Sequence, residues 1–448
     1  MQTADAAVVP SGEKVPIGET FTVAEGDGAT TGAGFPDVSS DPVTGRSLVI
    51  YNWVEDAPVG ADPSVEGGVG IIDEIHGRVI DNAGMIGPDF RIDVTLPSTG
   101  FDDFEPPTAA WNSTLTEWLV TWTDDEIVYG QRVDSDGSLI GNNFVIAASK
   151  VGKVPTATDN FYDIEQVEAE WSPTDQVYLV SWKARGDAAG VEFDQTILAT
   201  LIDKSGNNKL NGFVKDVSQE EANDGVAVSY SPDSDVWLVA WERQASNEQP
   251  GARVIKATAS GTKFNMVFVT APLAISNTGD ERRRSQVEWD SARDRFIIIW
   301  RADHTDDAVN NYEHFFNFIS PTGAFVEGNE EQFSTTGSYP YRGRVAYSPV
   351  DDEYAVVSHV DGTDDYELFT WTISGDGNTT GETTVLASAQ DKRARPAVSY
   401  GGGCFHYVWW DQGQFWDSSR TLPDAISTVF GCEGCEDFGP AATSSPTW

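Results

Sequence analysis

The chain has 448 residues, 71 acidic and 28 basic, for a formal net charge of −43. Such a surface repels nucleic-acid phosphates and anionic membranes, so no nucleic-acid partner is expected. Hydrophobic residues make up 40% and aromatics 11%, ample for a large core, and no apolar run nears the ~20 residues of a membrane-spanning helix.

The opening MQTADAAVVPSGEK lacks the basic and apolar regions of a secretory signal, so a signal was either removed or never there. Residues 12–24 (GEKVPIGETFTVA) look like a fourth strand with no unit of its own; 84–90 (GMIGPDF) and 137–144 (GSLIGNNF) are similar. An alternating apolar strand then recurs seven times. It reads SLVIY to Tyr51, WLVTW to Trp122, YLVSW to Trp182, WLVAW to Trp241, FIIIW to Trp300, YAVVS to Ser358 and HYVWW to Trp410. Spacings of 71, 60, 59, 59, 58 and 52 residues define a repeat made of strands. A first strand precedes each copy (EAEW, AVSY, QVEW and others), joined to it by a turn such as SPTDQ or SPDSD. A third strand (EIVYGQRVD) and a Gly-containing hairpin into a fourth (DSDGSLIGNNFVIA, 134–147) complete the unit. The last unit ends at AISTVFG (425–431) without a fourth strand.

These features predict an all-β, seven-bladed β-propeller of four-stranded blades, with the N-terminal strand completing the last blade and closing the ring. One domain is expected over 12–435, between a flexible stretch 1–11 and a disordered tail 436–448. The Trp/Tyr column is expected to be interblade packing. The repeat resembles the seven-bladed propellers of secreted and cell-surface proteins, whose blade reads P-x-x-A-Y-S-P…Y-L-V-x-W…D-x-D-G-x-x-x-G-x-x-F. The resemblance covers nearly the whole chain. It implies a fold and a secreted or extracellular-surface location, and no reaction, because propellers host many. The Asp-box, the Gly-His…Trp-Asp signature and the kelch Gly-Gly strand are missing from it.

Cys404 is expected to bridge Cys432 or Cys435, and Asn112 and Asn378 head N-x-[ST] sequons. The hairpin face should be acidic and solvated. DSDG is a partial match to a calcium loop, which leaves Ca2+ as the one cofactor to consider, but the later ligands of such a loop are missing. The opposite face carries the long, variable loops where binding sites usually sit. Counting back five residues from the end of the first strand gives Arg284, Arg342 and Arg395 in three consecutive blades, with Arg344 close by. Arginine forks match carboxylate and sulfate geometry, so these residues either anchor an acidic ligand or brace the ring against Glu168, Glu170, Glu288 and Asp37. His304 and His359 follow second strands and are the acid/base candidates on that face. The expected function is an extracellular binding or adhesion module for a glycan, acidic ones included, or a partner protein. No catalytic constellation is recognisable. A polysaccharide lyase or glycoside hydrolase on the same face is the alternative, and a structural, self-associating subunit of an extracellular assembly is the third.

Overall fold

The computed structural model describes residues 21–25, 31–55, 72–94, 106–124, 127–148, 159–188, 191–212, 214–219, 222–243, 249–276, 282–303, 312–326, 330–334, 339–340, 343–361, 366–386, 392–412 and 425–431. Their strands pair into seven antiparallel sheets, each built round a four-strand path. The innermost strands are Thr31–Ser40, Thr108–Asn112, Asp159–Ser172, Ala222–Ser231, Arg282–Asp290, Arg344–Ser348 and Lys392–Gly401. Each lies against the innermost strand of the next sheet, and the last lies against the first. The chain is therefore an all-β propeller of four-stranded antiparallel blades. Sheets are numbered below in chain order of these inner strands.

Closure follows the phase of the repeat. Phe21–Glu25 pairs antiparallel with Ala425–Gly431, from Phe21 opposite Thr428 to Glu25 opposite Ala425, with a register shift between Thr22 and Ala24. The last sheet thus takes its outer strand from the start of the chain, and the edge it would otherwise expose is paired. Residues 12–20 of the expected strand, and both terminal segments, lie outside the described residues.

Burial on both faces explains why the recurring strand has no polar side. In Val236–Arg243 every residue but the last is buried. Trp182, Trp241 and Trp300 are each 1% exposed or less and sit in core clusters shared between neighbouring sheets. Cross-strand aromatic pairs repeat at one level: Trp111–Trp118, Trp171–Tyr178, Tyr230–Trp237, Tyr347–Tyr354 and Tyr400–Phe405, with ring centroids 4.6–5.2 Å apart.

The recurrent turn has a mechanical reason. Its last residue is left-handed in five sheets, with φ of 45–56° at Thr116, Gln176, Asp235, Asp294 and Asp352. The first residue's side chain steadies the strained loop from within: Ser172 Oγ accepts Asp175 N–H (3.0 Å), and Asn112 Oδ1 accepts Thr114 N–H (3.0 Å). It also ties sheets together, since Ser172 Oγ meets Tyr230 Oη at 2.9 Å, and Tyr354 Oη meets Asp290 Oδ2 at 2.7 Å.

One expectation is corrected, and one sequon proves to be closed. Cys404 is a free thiol, not a staple; its side chain packs against the apolar cluster of the seventh and first sheets, and burial pushes its pKa up to about 11. Cys432 and Cys435 lie outside the described residues. Asn112 is fully buried, and its Nδ2 donates to Tyr178 Oη at 3.1 Å, so it cannot accept a glycan. Asn378, by contrast, is exposed on a hairpin.

Candidate functional site: the axial cup

The inner strands bring polar side chains to the axis at one level. Glu168, Gln286 and Arg344 each lie three residues before the aromatic that ends their strand. Their partners on the second strand, Ser181, Ile299 and Val357, occupy equivalent positions. Arg344 Nη1 donates to Glu168 Oε1 at 3.1 Å and to Gln286 Oε1 at 2.9 Å. The sixth sheet thereby reaches the third across the axis, and the fifth beside it. Asp37 of the first sheet borders the same group, and its Oδ2 accepts the Ala109 N–H at 3.1 Å. Burial pushes the Asp37 carboxyl up to about 6; Arg344 opposes the shift and Glu168 adds to it.

Two residues further along, toward the hairpin turns, stand Glu170 and Glu288. Burial pushes both up to about 8, and the neighbouring Glu288 and Glu168 carboxyls add to the shift at Glu170. The shift favours the carboxylic-acid form of both near neutral pH, which can donate one hydrogen bond and accept others. The cavity they line holds about 760 Å³ and also takes in Ser39, Ser229 and Ser399. Trp111, Trp171, Trp289 and Tyr347 form its upper wall, and turn residues Pro42, Pro173, Pro232 and Pro349 form its rim. Val43 and Val350 stand on that rim, 85% and 76% exposed. The arrangement is a cup on the axis, crossed at its base by the Arg344–Glu168 bridge and open toward the hairpin turns.

The predicted site residues fare unequally. Arg344 is on the axis, where it pairs with Glu168, one of the acids considered as its partner. Arg284 and Arg395 lie in strands, but their side chains, like Arg342 and His304 altogether, fall outside the described residues. The backbone at the Arg284 level carries a bulge: pairing skips between Arg283 and Gln286 and between Ala394 and Ala397. At the matching places Phe35, Gln166 and Gly225 are left-handed, with φ of 53°, 47° and 64°. His359 is 3% exposed and buried within its sheet. Most of the long loops on the opposite face also fall outside the described residues. The cup's described lining includes turn residues of the face expected to be merely solvated.

Charge on that hairpin face is more ordered than expected. Arg293 grips Asp352 with two nitrogens at 2.5 and 2.7 Å and reaches Asp376 at 3.2 Å, joining the fifth and sixth sheets. Asp136 of the DSDG hairpin accepts Ser138 N–H at 2.8 Å within its own turn. Among the described residues no group of three or more His, Cys, Asp or Glu side chains is placed to hold a metal ion. No described helix is long and apolar enough to cross a membrane.

No family model matches the chain, and no curated protein matches it. Among solved structures it is similar to the periplasmic gluconolactonase PpgL of Pseudomonas aeruginosa, at 11% identity and a TM-score of 0.47 over 78% of this chain and 85% of that one. It is also similar to the polysaccharide lyase Uly1, at 7% identity and a TM-score of 0.47 over 89% of this chain and 90% of that one. Hydrazine synthase of Kuenenia stuttgartiensis matches at 13% identity and a TM-score of 0.42 over 68% of this chain and 76% of that one. Likeness at this level assigns neither ligand nor reaction.

Proposed function

We propose that the chain is a seven-bladed binding propeller, working outside the cytoplasm, that takes an uncharged, hydroxyl-rich carbohydrate end into the axial cup. The observation that carries this reading is the state of the cup's polar groups. Arg344 is already matched by Glu168, and burial favours the neutral acid form of Glu170 and Glu288 near pH 7. A strongly anionic ligand would find no free counter-charge there, because Arg344 is the one basic residue among the described lining and both Glu168 and Asp37 stand against it. A sugar hydroxyl both donates and accepts, as do a protonated carboxyl and the serine hydroxyls beside it, and the half-buried Trp111 and Trp289 on the wall suit the apolar face of a pyranose. An acidic glycan or partner protein held on the long-loop face by Arg284, Arg342 and Arg395 remains a further contact of the same module.

One observation favours a second reading, glycoside hydrolysis. That chemistry needs a protonated acid near an ionised carboxylate, and Glu170 and Glu288 are such acids in a cavity that also holds Glu168. Both readings are tested by equilibrating the protein with neutral oligosaccharides of several linkages, measuring depletion and reducing ends in the same tubes. Depletion without new ends, retained in Glu288→Gln and lost about tenfold in Glu288→Ala, supports the binding module, since one good hydrogen-bonding group is worth about that much. New reducing ends abolished by Glu170→Gln or Glu288→Gln would establish the hydrolase. Neither depletion nor products across the panel would remove the cup as a carbohydrate site.

A further inference from the structure

Basic residues are scarce, yet five of the ten lysines (Lys204, Lys209, Lys215, Lys256 and Lys263) lie between residues 204 and 263. They gather where the third and fourth sheets meet at their outer hairpins. Lys204 and Ser205 stand where the DSDG hairpin of the second sheet has Ser135 and Asp136. The turn of the fourth sheet, Ser260–Lys263, is likewise basic. Features that recur serve the ring. This one departs from the repeat.

The departure frames a groove of about 360 Å³, lined by Asp175, Asp203, Lys204, Lys209, Thr262 and Lys263 among others. Its floor is fixed by backbone bonds between the two sheets: Phe264 N–H donates to Lys209 O and Asn211 N–H to Phe264 O, each at 2.7 Å. Lys204 and Lys263 are exposed. Lys209 is matched by Asp203 at 3.1 Å, and Lys256 by Asp235 at 3.2 Å. Four ammonium groups thus face three carboxyls, in a chain where acids outnumber bases more than twofold. The remaining carboxyl is the second observation. Oδ2 of Asp175 is buried and has no hydrogen-bond partner among the described residues, so it lacks a donor.

We propose that this groove is a subsite for an acidic sugar residue, its carboxylate or sulfate taken by Lys204 and Lys263 and one hydroxyl donated to Asp175. An inorganic anion would satisfy the lysines and leave Asp175 without a donor; a neutral sugar would do the reverse. Thr262 and Ser205 add hydroxyls that donate to an oxyanion. Burial first, and then Asp235, push Asp175 up to about 6, with Lys256 opposing. As pH falls through that value the groove gains positive charge, and an anion binds more tightly, by on the order of threefold. The subsite does not depend on the cup, which lies on the axis.

The test uses the full chain and a chondroitin sulfate tetrasaccharide, with a neutral dextran oligosaccharide and sodium sulfate at matched ionic strength as controls, read by calorimetry. The tetrasaccharide should bind, more tightly at pH 5 than at pH 7, and about tenfold more weakly in Lys204→Gln/Lys263→Gln. Lys204→Arg/Lys263→Arg should keep most of the affinity, and Glu288→Ala, which empties only the cup, should leave it unchanged. An unaltered thermal midpoint would show that the Gln pair folds. Equal binding in wild type and the Gln pair, or none in either, overturns the proposal. So does sodium sulfate binding as tightly as the tetrasaccharide, which would make this a free-anion site. Concentration-dependent sedimentation lost in the Gln pair, with no sugar bound, would instead assign the groove to a second copy of the chain.

Discussion

Glu288→Gln should make the protein more stable at alkaline pH and leave it unchanged in acid. In the unfolded chain Glu288 releases its proton near its ordinary value of 4.5, and in the folded chain burial pushes it up to about 8. Between those values the folded protein holds a proton that the unfolded one has lost, so stability falls as pH rises across the window. At about 1.4 kcal/mol per pKa unit, the full shift would amount to roughly 4–5 kcal/mol at pH 8. Water entering the cup, and a compact unfolded ensemble, reduce this to about 1–3 kcal/mol. Glutamine has nearly the shape of the protonated acid and no charge to desolvate. It also removes the Glu288 charge that helps to raise Glu170. Guanidinium unfolding at pH 5, 6.5 and 8 measures the effect: the two curves should coincide near pH 5, and the variant should gain about 1–3 kcal/mol by pH 8. Parallel pH profiles, or a variant less stable at pH 8, would refute burial of a neutral acid on the axis.

Arg344→Met should cost about 1–3 kcal/mol at pH 7, because it strips the counter-charge from Glu168 and a donor from Gln286, in a pair whose side chains are only 13% and 20% exposed. The double variant Arg344→Met/Glu168→Met should recover most of that loss in a double-mutant cycle. His406 works in the opposite sense to the glutamates. Burial pushes it down to about 3, so below about 6.5 the unfolded chain takes up a proton that the folded chain refuses and stability falls with pH; His406→Gln should flatten that acid limb of a denaturation profile. Expression in a glycosylating host should modify Asn378 and leave Asn112 bare, as peptide mass spectrometry would read. Asn112→Ala should lower stability by about 1–2 kcal/mol, as loss of a turn-capping side chain does.

The ring was legible in the sequence because its determinants are local and repeated. An alternating strand, a Ser- or Asn-headed turn and a closing residue of positive φ recur in phase, and the phase places Phe21–Glu25 beside Ala425–Gly431. The axial set was less legible. Counting back five residues from the terminal aromatic lands on the bulge, where Phe35 and Gln166 are left-handed and the register slips. Counting back three finds Glu168, Gln286 and Arg344, the polar residues that meet. The signal was there in their polarity at a level where Ala227 and Ala397 are apolar, but a bulge cannot be seen in an alternating pattern. That Glu170 and Glu288 stay protonated depends on burial by other sheets, which no local reading supplies. The lysine excess lies in the sequence too, but a reading guided by the repeat passes over it. What made it a groove was the pairing of Leu210 with Phe264 between neighbouring sheets.

The antiparallel clasp has a mechanical corollary. Phe21 stands opposite Thr428, three residues before the end of its partner strand Ala425–Gly431. The two chain ends therefore leave the clasp from the same end of the ribbon. A load applied between them opens it like a zipper, one bond at a time, rather than shearing all its bonds together. The ring would yield first at this seam, baring the edge of Ala425–Gly431 while the inner strand of the last sheet still lies against that of the first.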